Sequence, residues 1–148
     1  MAGVSVSSIR QLVATALATE LSASDWRESD DPYDLFGFGG DGEGRGHLGY
    51  AVGVPLTTAL NDRQPLDEGA YSDTSLRIKW AYNLSVHDQI VAYDQALDAE
   101  RAILAAVMTV RRSTGLSLVF GSAIRTVDAE GWMMGEISLR ALHNLPLS

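Results

Sequence analysis

The sequence predicts an α+β domain: an antiparallel sheet of about four strands with two helices packed on one face, in the order α-loop-β-β-α-β-β. Two segments repeat their apolar residues with helical spacing, and four segments alternate apolar and polar residues with a period of two. The strands come in consecutive pairs instead of alternating with helices, which favours an antiparallel sheet. At 148 residues, the chain is expected to form one domain over residues 1–148.

The first helix is expected to begin near Ser7, with Ser7 or Ser8 as its cap. Its apolar residues share one helical face, and they are Ile9, Leu12, Val13, Ala16, Leu17 and Leu21. Ser, Thr, Gln and Glu interrupt this apolar pattern, so we expect a helix of the mature protein and no signal peptide. Residues 22–47 lose all periodicity and are rich in Gly, Asp and Ser, which predicts a long flexible loop.

Two strands are expected in the middle of the chain. Residues 48–57 alternate apolar and small residues, and Pro55 indicates that this strand ends there or lies at an edge. Residues 74–86 carry the clearest alternation of the chain. Leu76, Ile78, Trp80, Tyr82, Leu84 and Val86 should point to a core, while Ser75, Arg77, Lys79, Asn83 and Ser85 should face water or a partner.

A second helix and a hairpin complete the predicted fold. The helix is expected from about Asp88 to Val110, with Tyr93, Leu97, Leu104, Val107 and Met108 on one side. Residues 116–127 and 131–144 alternate as strands around a turn at 128–131, which is typical of a hairpin. The last strand should bury Met133, Ile137, Leu139 and Ala141 and leave Glu136, Ser138 and Arg140 on the opposite face. Trp132 lies on that opposite face, where another subunit could meet the sheet.

The composition excludes several kinds of chemistry. Nineteen acidic residues against eleven basic ones leave a formal charge of −8, which discourages non-specific binding to nucleic acid. The chain has no cysteine, so disulfides, thiolate metal sites and cysteine nucleophiles are excluded. His47, His87 and His143 lack the spacing of a metal motif, and we expect His47 and His143 at the surface or at an interface. No catalytic residue, metal ligand or cofactor is predicted.

The stretch GFGGDG, Gly37 to Gly42, matches the dinucleotide-binding pattern G-x-G-x-x-G. That pattern holds a pyrophosphate when a strand precedes the glycines and a helix follows them. Here a non-periodic segment precedes them, a strand follows, and Asp34, Asp41 and Glu43 would repel phosphate. The alternatives are a mobile loop or a segment whose Leu35, Phe36 and Phe38 become ordered against another chain.

Four stretches follow one another in a characteristic order. They are the run VGVPL (Val52 to Leu56), the strand TSLRIKWAYNL, the helix YDQALDAERAILAAVM and the closing strand GWMMGEISLRALHNLPL. With the leading helix and the long variable segment, this order resembles the tail terminator proteins of long-tailed bacteriophages and phage-like particles. The resemblance covers nearly the whole chain and rests on the order of the elements, on length and on the general pattern of apolar and polar residues.

The resemblance implies a structural virion protein without enzymatic activity. Such subunits form a hexameric ring on the end of the tail tube, stop tube polymerisation and present a surface to a neck or head-completion protein. DNA passes through the ring only as cargo, and assembly takes place in the host cytoplasm without a membrane. By position, the implied contact residues are Leu35, Phe36, Phe38, Arg45, Asn61, Arg63, Glu68, Tyr71, Arg77 and Lys79.

Two other functions stay open at the level of sequence. One is a different structural subunit of the same kind of particle, such as a head–tail adaptor or a tube-like protein. The other is a small enzyme or ligand-binding domain. The latter would need a pocket that brings His47, His87 and a buried carboxylate within hydrogen-bond distance.

Overall fold

The chain folds into eight helices and strands in a computed structural model that describes residues 3–21, 26–28, 48–59, 70–84, 89–128 and 131–145. The two helices are α1 (Val6–Glu20) and α2 (Gln89–Thr114). The six strands are β1 (Trp26–Glu28), β2 (Leu48–Val52), β3 (Leu56–Ala59), β4 (Ala70–Asn83), β5 (Ser117–Val127) and β6 (Trp132–Leu145).

One sheet contains all six strands in the order β1-β2-β4-β6-β5, with β3 paired to β4 on the same side as β2. Every pairing is antiparallel except that of β1 with β2. The α+β class and the order of the main elements are therefore confirmed. The structure adds two short strands, and one of them, β1, lies within the predicted 22–47 loop; the rest of that segment lies outside the described residues.

A bulge divides the strand that was expected over residues 48–57. Val52 pairs with Ile78 and Leu56 pairs with Ser75, so the three residues 53–55 lie opposite two residues of β4. Gly53 still donates its N–H to the carbonyl of Arg77 at 2.8 Å, but Pro55 has no N–H to donate. β2 consequently ends before Pro55, as the sequence predicted.

The N-cap of α1 lies at least two residues earlier than expected. Ser5 is its N-cap, and the Ser5 hydroxyl accepts a hydrogen bond from the backbone N–H of Ser8 at 3.2 Å. The predicted buried residues Ile9, Val13 and Leu17 are confirmed. These three side chains attach the helix to the core.

The apolar side expected for α2 is only partly buried. Leu97 is 40% exposed and Met108 is 50% exposed. The buried side consists mainly of small residues, and its members are Ala92, Ala96, Glu100, Ile103, Ala106, Val107 and Val110. α2 approaches α1 more closely than it approaches any strand of the sheet, and small side chains such as alanine permit a close approach between helices.

The core lies between the two helices and one face of the sheet. β4 and β6 pair along 14 residues each, and the side chains of Leu76, Ile78 and Trp80 on β4 are fully buried. The predicted inward residues of the last strand are buried as well; they are Met133, Ile137, Leu139 and Ala141. The strand alternation therefore assigned this face correctly.

Candidate subunit interface

Of the eleven predicted contact residues, seven lie outside the described residues: Leu35, Phe36, Phe38, Arg45, Asn61, Arg63 and Glu68. The other four lie on β4 and β6. Tyr71 and Arg77 are exposed, Lys79 is half-buried and Trp132 is buried. The described part of the chain therefore places three of the four where a partner can reach them.

The side of the sheet opposite the helices carries a row of ion pairs. Asp73 accepts hydrogen bonds from Nε of Arg140 at 2.9 Å and from its Nη2, and this hydrogen bonding raises the pKa of Arg140 above its ordinary value. Next to this pair, Arg77 Nε lies 3.4 Å from Glu136 Oε1. Exposed pairs of this kind contribute at most about 1 kcal/mol each. They make this face, which we call the open face, wet and locally neutral.

Trp132 belongs to a small second cluster on the open face. Its side chain is only 5% exposed, and it packs with Ala81 and Met134. The sequence placed Trp132 on the correct face of the sheet. The single chain already covers it, however, so Trp132 is not an exposed contact residue.

The strand β5 forms one edge of the sheet in the described structure. β5 pairs with β6 on one side only, and its exposed apolar side chains are Val119, Phe120, Ile124 and Val127. An edge strand with free backbone groups and apolar side chains is a template for pairing with another chain. The predicted contact set omitted this strand.

A groove runs beside this edge on the helix side of the sheet. Leu104, Met108 and Arg111 of α2 form one wall, and Leu118 and Phe120 of β5 form the other, around a volume of about 220 Å³. The exposed side chain of Met108 lines this groove and is not part of the core. The groove extends the apolar surface of the β5 edge.

An ion pair between Glu100 of α2 and Arg125 of β5 joins the helix to the strand. Glu100 is only 3% exposed, and Arg125 donates to both of its carboxylate oxygens, with Nε 2.8 Å from Oε2. The hydrogen bonds to Glu100 raise the pKa of Arg125 above its ordinary value. Because both oxygens of Glu100 are occupied, this buried carboxylate holds the fold together and is not free to act as a base.

β3 lies at the other edge of the sheet, away from β5. Val54 in the bulge is 91% exposed, and Leu56 at the start of β3 is also exposed. β3 pairs only with β4 among the described strands. The sheet therefore presents apolar side chains at β3 as well as at β5.

His143 is buried, which corrects the expectation of a surface or interface residue. Its Nε2 lies 2.6 Å from the hydroxyl of Thr74, which is in turn 2.8 Å from the hydroxyl of Thr57. Its Nδ1 lies 2.8 Å from the carbonyl oxygen of Val4, so Nδ1 carries a hydrogen and donates it to that oxygen. His143 thus ties the N-terminal segment to β3 through β6 and β4.

We searched the described residues for arrangements that could support catalysis. They contain no group of three or more His, Asp or Glu residues that could hold a metal ion. Two further concavities occur, one of about 500 Å³ beside His143 and Tyr71 and one of about 390 Å³ above Arg77 and Arg140. His47, His87 and the stretch Gly37 to Gly42 lie outside the described residues. Neither described helix is long and apolar enough to cross a membrane.

Comparisons with known proteins connect this fold to a virus-like particle. A chain in the structure of the virion of a native gene transfer agent particle matches with a TM-score of 0.50 at 14% sequence identity. The match covers 92% of this chain and 94% of that chain, and so the two chains share a fold.

A protein from Akkermansia muciniphila aligns over 98% of this chain and 82% of its own, at 10% identity. Its TM-score of 0.38 is too low to support an inference. No protein-family model matches the chain, and no curated protein matches it either.

Proposed function

We propose that this protein is a structural subunit of a phage-like particle, and that it acts as a tail terminator. In this role the subunits form a ring on the end of the tail tube, stop its polymerisation and join the tail to the neck or head. The observation that carries the proposal is the fold shared with a chain of a gene transfer agent virion over almost the full length of both chains. The order of the sequence elements, which resembles tail terminators, supports the same role independently.

The described surface is consistent with a binding role. Its distinctive exposed features are apolar sheet edges and an apolar groove, while its buried Glu100 and His143 are satisfied by fixed partners. A binding protein needs complementary surfaces and no reactive group. The protein is accordingly proposed to have no enzymatic activity and no cofactor, and DNA would pass through the ring only as cargo.

Contacts with the tube and the neck are proposed on the residues that the resemblance indicated. Tyr71, Arg77 and Lys79 lie on or beside the open face, and the remaining positions are Leu35, Phe36, Phe38, Arg45, Asn61, Arg63 and Glu68. Trp132 is left out of this set because the chain itself buries it.

The test is deletion of the gene in the strain that produces the particle, with tail lengths measured by negative-stain electron microscopy. A protein that stops tube growth should, when absent, leave tubes of unregulated length and heads without tails. A plasmid copy of the gene is the control and should restore tails of one length. Tubes of normal length that are separated from heads would identify a head–tail adaptor instead, and intact particles would refute both roles.

A further inference from the structure

We propose that the β5 edge binds an extended segment of a neighbouring protein of the particle, which joins the sheet as a further antiparallel strand and is acidic on the side that faces the helices. This inference rests on the proposed function, because it specifies how the subunit holds one of the proteins next to it. Three features of the described residues support it: the free edge of β5, the apolar side chains beside that edge and two arginines on its helix side.

β5 offers a regular stretch of backbone to such a strand. It pairs with β6 alone among the described strands, and its register with β6 breaks between Phe120 and Ser122. Residues 122–127 follow the break and pair with β6 without a further shift, and six residues are a usual length for a strand. An extended peptide that pairs with an open edge gains main-chain hydrogen bonds whatever its exact sequence.

Apolar side chains lie on both faces of the sheet beside this edge. Five of the eleven large apolar side chains that are exposed in the described part of the chain belong to β5 or to the groove next to it; they are Met108, Val119, Phe120, Ile124 and Val127. Val119 and Ile124 lie on the open face, and Phe120 and Val127 lie on the helix side. An added strand would therefore contact apolar side chains on both of its faces, which removes apolar area from water.

The groove beside Phe120 provides a place for an anchoring side chain. It adjoins residues 118–120, near the N-terminal end of β5. An antiparallel strand reaches this point with its own C-terminal end. We therefore expect a large apolar residue near the C-terminal end of the bound segment, because apolar anchors in pockets contribute most of the recognition at such contacts.

Two arginines make the helix side of this edge positive. Arg111 is the one charged residue among the described residues that line the groove, and it forms no ion pair with another described residue. Arg125 lies on the same face of β5 as Phe120. Its side chain is 40% exposed although it is bound to Glu100, whose own side chain is only 5% exposed. Acidic side chains of the added strand would meet both arginines.

The net charge of the chain does not prevent such a contact. Each copy carries a formal charge of −8, but exposed charges are screened over about 8 Å at physiological ionic strength. The nearest charges, Arg111 and Arg125, therefore decide what the edge attracts. A β5 strand from a second copy would bring the arginines of two copies to one edge, where like charges destabilise the pairing. This charge favours an acidic strand from another protein over a second β5.

Two synthetic peptides test the contact. The acidic probe has about eight residues; it alternates Val and Asp and carries Phe in place of the last Asp, so that Asp and Phe share one face. The control probe has Lys in place of every Asp. Fluorescence anisotropy should show that the acidic probe binds more tightly by a factor of about ten, because the control replaces two exposed ion pairs by two repulsions. Equal binding of the two probes, or binding of neither, would overturn the inference.

Charge reversal at Arg111 separates recognition from folding. Arg111→Glu should weaken binding of the acidic probe and strengthen binding of the lysine probe, a change of preference that partial unfolding would not produce. Arg101→Glu is the matched control, because Arg101 lies on the same helix, has a side chain that is 79% exposed and does not line the groove. It should leave the preference unchanged. The wild-type preference in Arg111→Glu would also overturn the inference.

Hydrogen–deuterium exchange shows which edge the probe occupies. A strand added to β5 should slow exchange across residues 117–127 and leave residues 56–59 of β3 unchanged. Slower exchange at β3, or at neither edge, would contradict the proposed position. So would a loss of self-association in Ile124→Lys without any probe, because the β5 edge would then be occupied by a second copy.

The gene-deletion experiment is independent of these measurements. Tail length decides the proposed function whether or not a probe binds to β5. If the acidic probe binds to β5 and deletion of the gene leaves intact particles, the strand-binding edge stands and the role in the particle is wrong.

Discussion

Gly135 on β6 is the position where one added methyl group should disturb the core most. A Cβ placed on Gly135 would lie closer than 3.0 Å to three atoms of the Trp80 indole, Cε2, Nε1 and Cζ2. Trp80 is fully buried, so its ring cannot move away without displacing other core side chains. Gly135→Ala is therefore expected to destabilise the fold although it adds only one carbon.

The size of the effect follows from two opposing terms. Replacing Gly by Ala reduces the entropy of the unfolded chain and by itself stabilises by about 0.4–1 kcal/mol. Overpacking a well-packed core costs about 1–3 kcal/mol and occasionally more. Three simultaneous clashes with a rigid ring place the cost at the upper end, so we expect a net loss of about 2 kcal/mol.

Urea denaturation followed by tryptophan fluorescence measures this loss. Gly53→Ala is the control, since its added Cβ would be 3.2 Å from the Arg77 carbonyl oxygen, and it should change stability by less than about 1 kcal/mol. In the background Trp80→Leu the indole is gone, so Gly135→Ala should cost much less there. Gly135→Ala with wild-type stability, or with an unchanged cost in the Trp80→Leu background, would refute the proposed packing.

Three further predictions concern the helix α2, the Glu100–Arg125 ion pair and two tyrosines. Ile103→Ala should lower the free energy of unfolding by about 2–5 kcal/mol, whereas Leu97→Ala should lower it by less than about 1 kcal/mol. Equal losses in chemical denaturation would show that the buried face of α2 is misassigned. Arg125→Ala should cost about 1–3 kcal/mol because it removes the hydrogen-bond partner of the buried Glu100 carboxylate, while the 40% exposure of the Arg125 side chain lets solvent screen the pair, and Glu100→Gln should cost less; the reverse order in thermal melts would contradict the burial of Glu100. Burial raises the pKa of Tyr82 above its ordinary value of 10.0, and burial followed by the charge of Glu28 raises that of Tyr50. As the pH rises, the two tyrosines lose their protons in the unfolded chain before they do so in the folded chain. Their contribution to the free energy of unfolding should therefore be fully present below pH 10 and fall as the pH rises above it. Tyr82→Phe should make that fall shallower in urea titrations between about pH 9 and 11, and an unchanged slope would contradict the raised pKa.

The strands of the central sheet could be predicted because alternation is a local signal. Leu76, Ile78 and Trp80 on β4, and Ile137 and Leu139 on β6, face the core as their period of two indicated. The antiparallel pairing of β5 with β6 also followed from local sequence. Sequence therefore predicted which faces of β4 and β6 are buried.

Contacts between distant segments could not be predicted in the same way. His143 is buried because Thr74 and Val4 reach it from other parts of the chain, and nothing near His143 in sequence indicates this. Which side of α2 is buried depends on how the helix packs against α1 and the core, and its apolar periodicity did not reveal that Leu97 and Met108 are exposed. β1 has only three residues, too few to show a period.

The candidate interface illustrates the same limit. Strict alternation would place Val119 and Ile124, five residues apart, on opposite faces of β5, and only the register shift between Phe120 and Ser122 brings them to one face. Alternation also does not reveal that β5 is an edge strand, since that depends on which strands pair. The bulge after Val52 separates β3 from β2 and exposes Val54, and it depends on the register with β4. Both open edges therefore became visible only in the folded structure.

The most direct measurement is the mass of the purified protein in solution, by light scattering over a range of concentrations, with negative-stain images of the same samples. If the subunits form the proposed ring, the mass should approach six times that of the subunit and the images should show six-fold rings with an open centre. A monomer at every concentration, or a two-fold dimer, would contradict a ring that this chain forms without the tail tube.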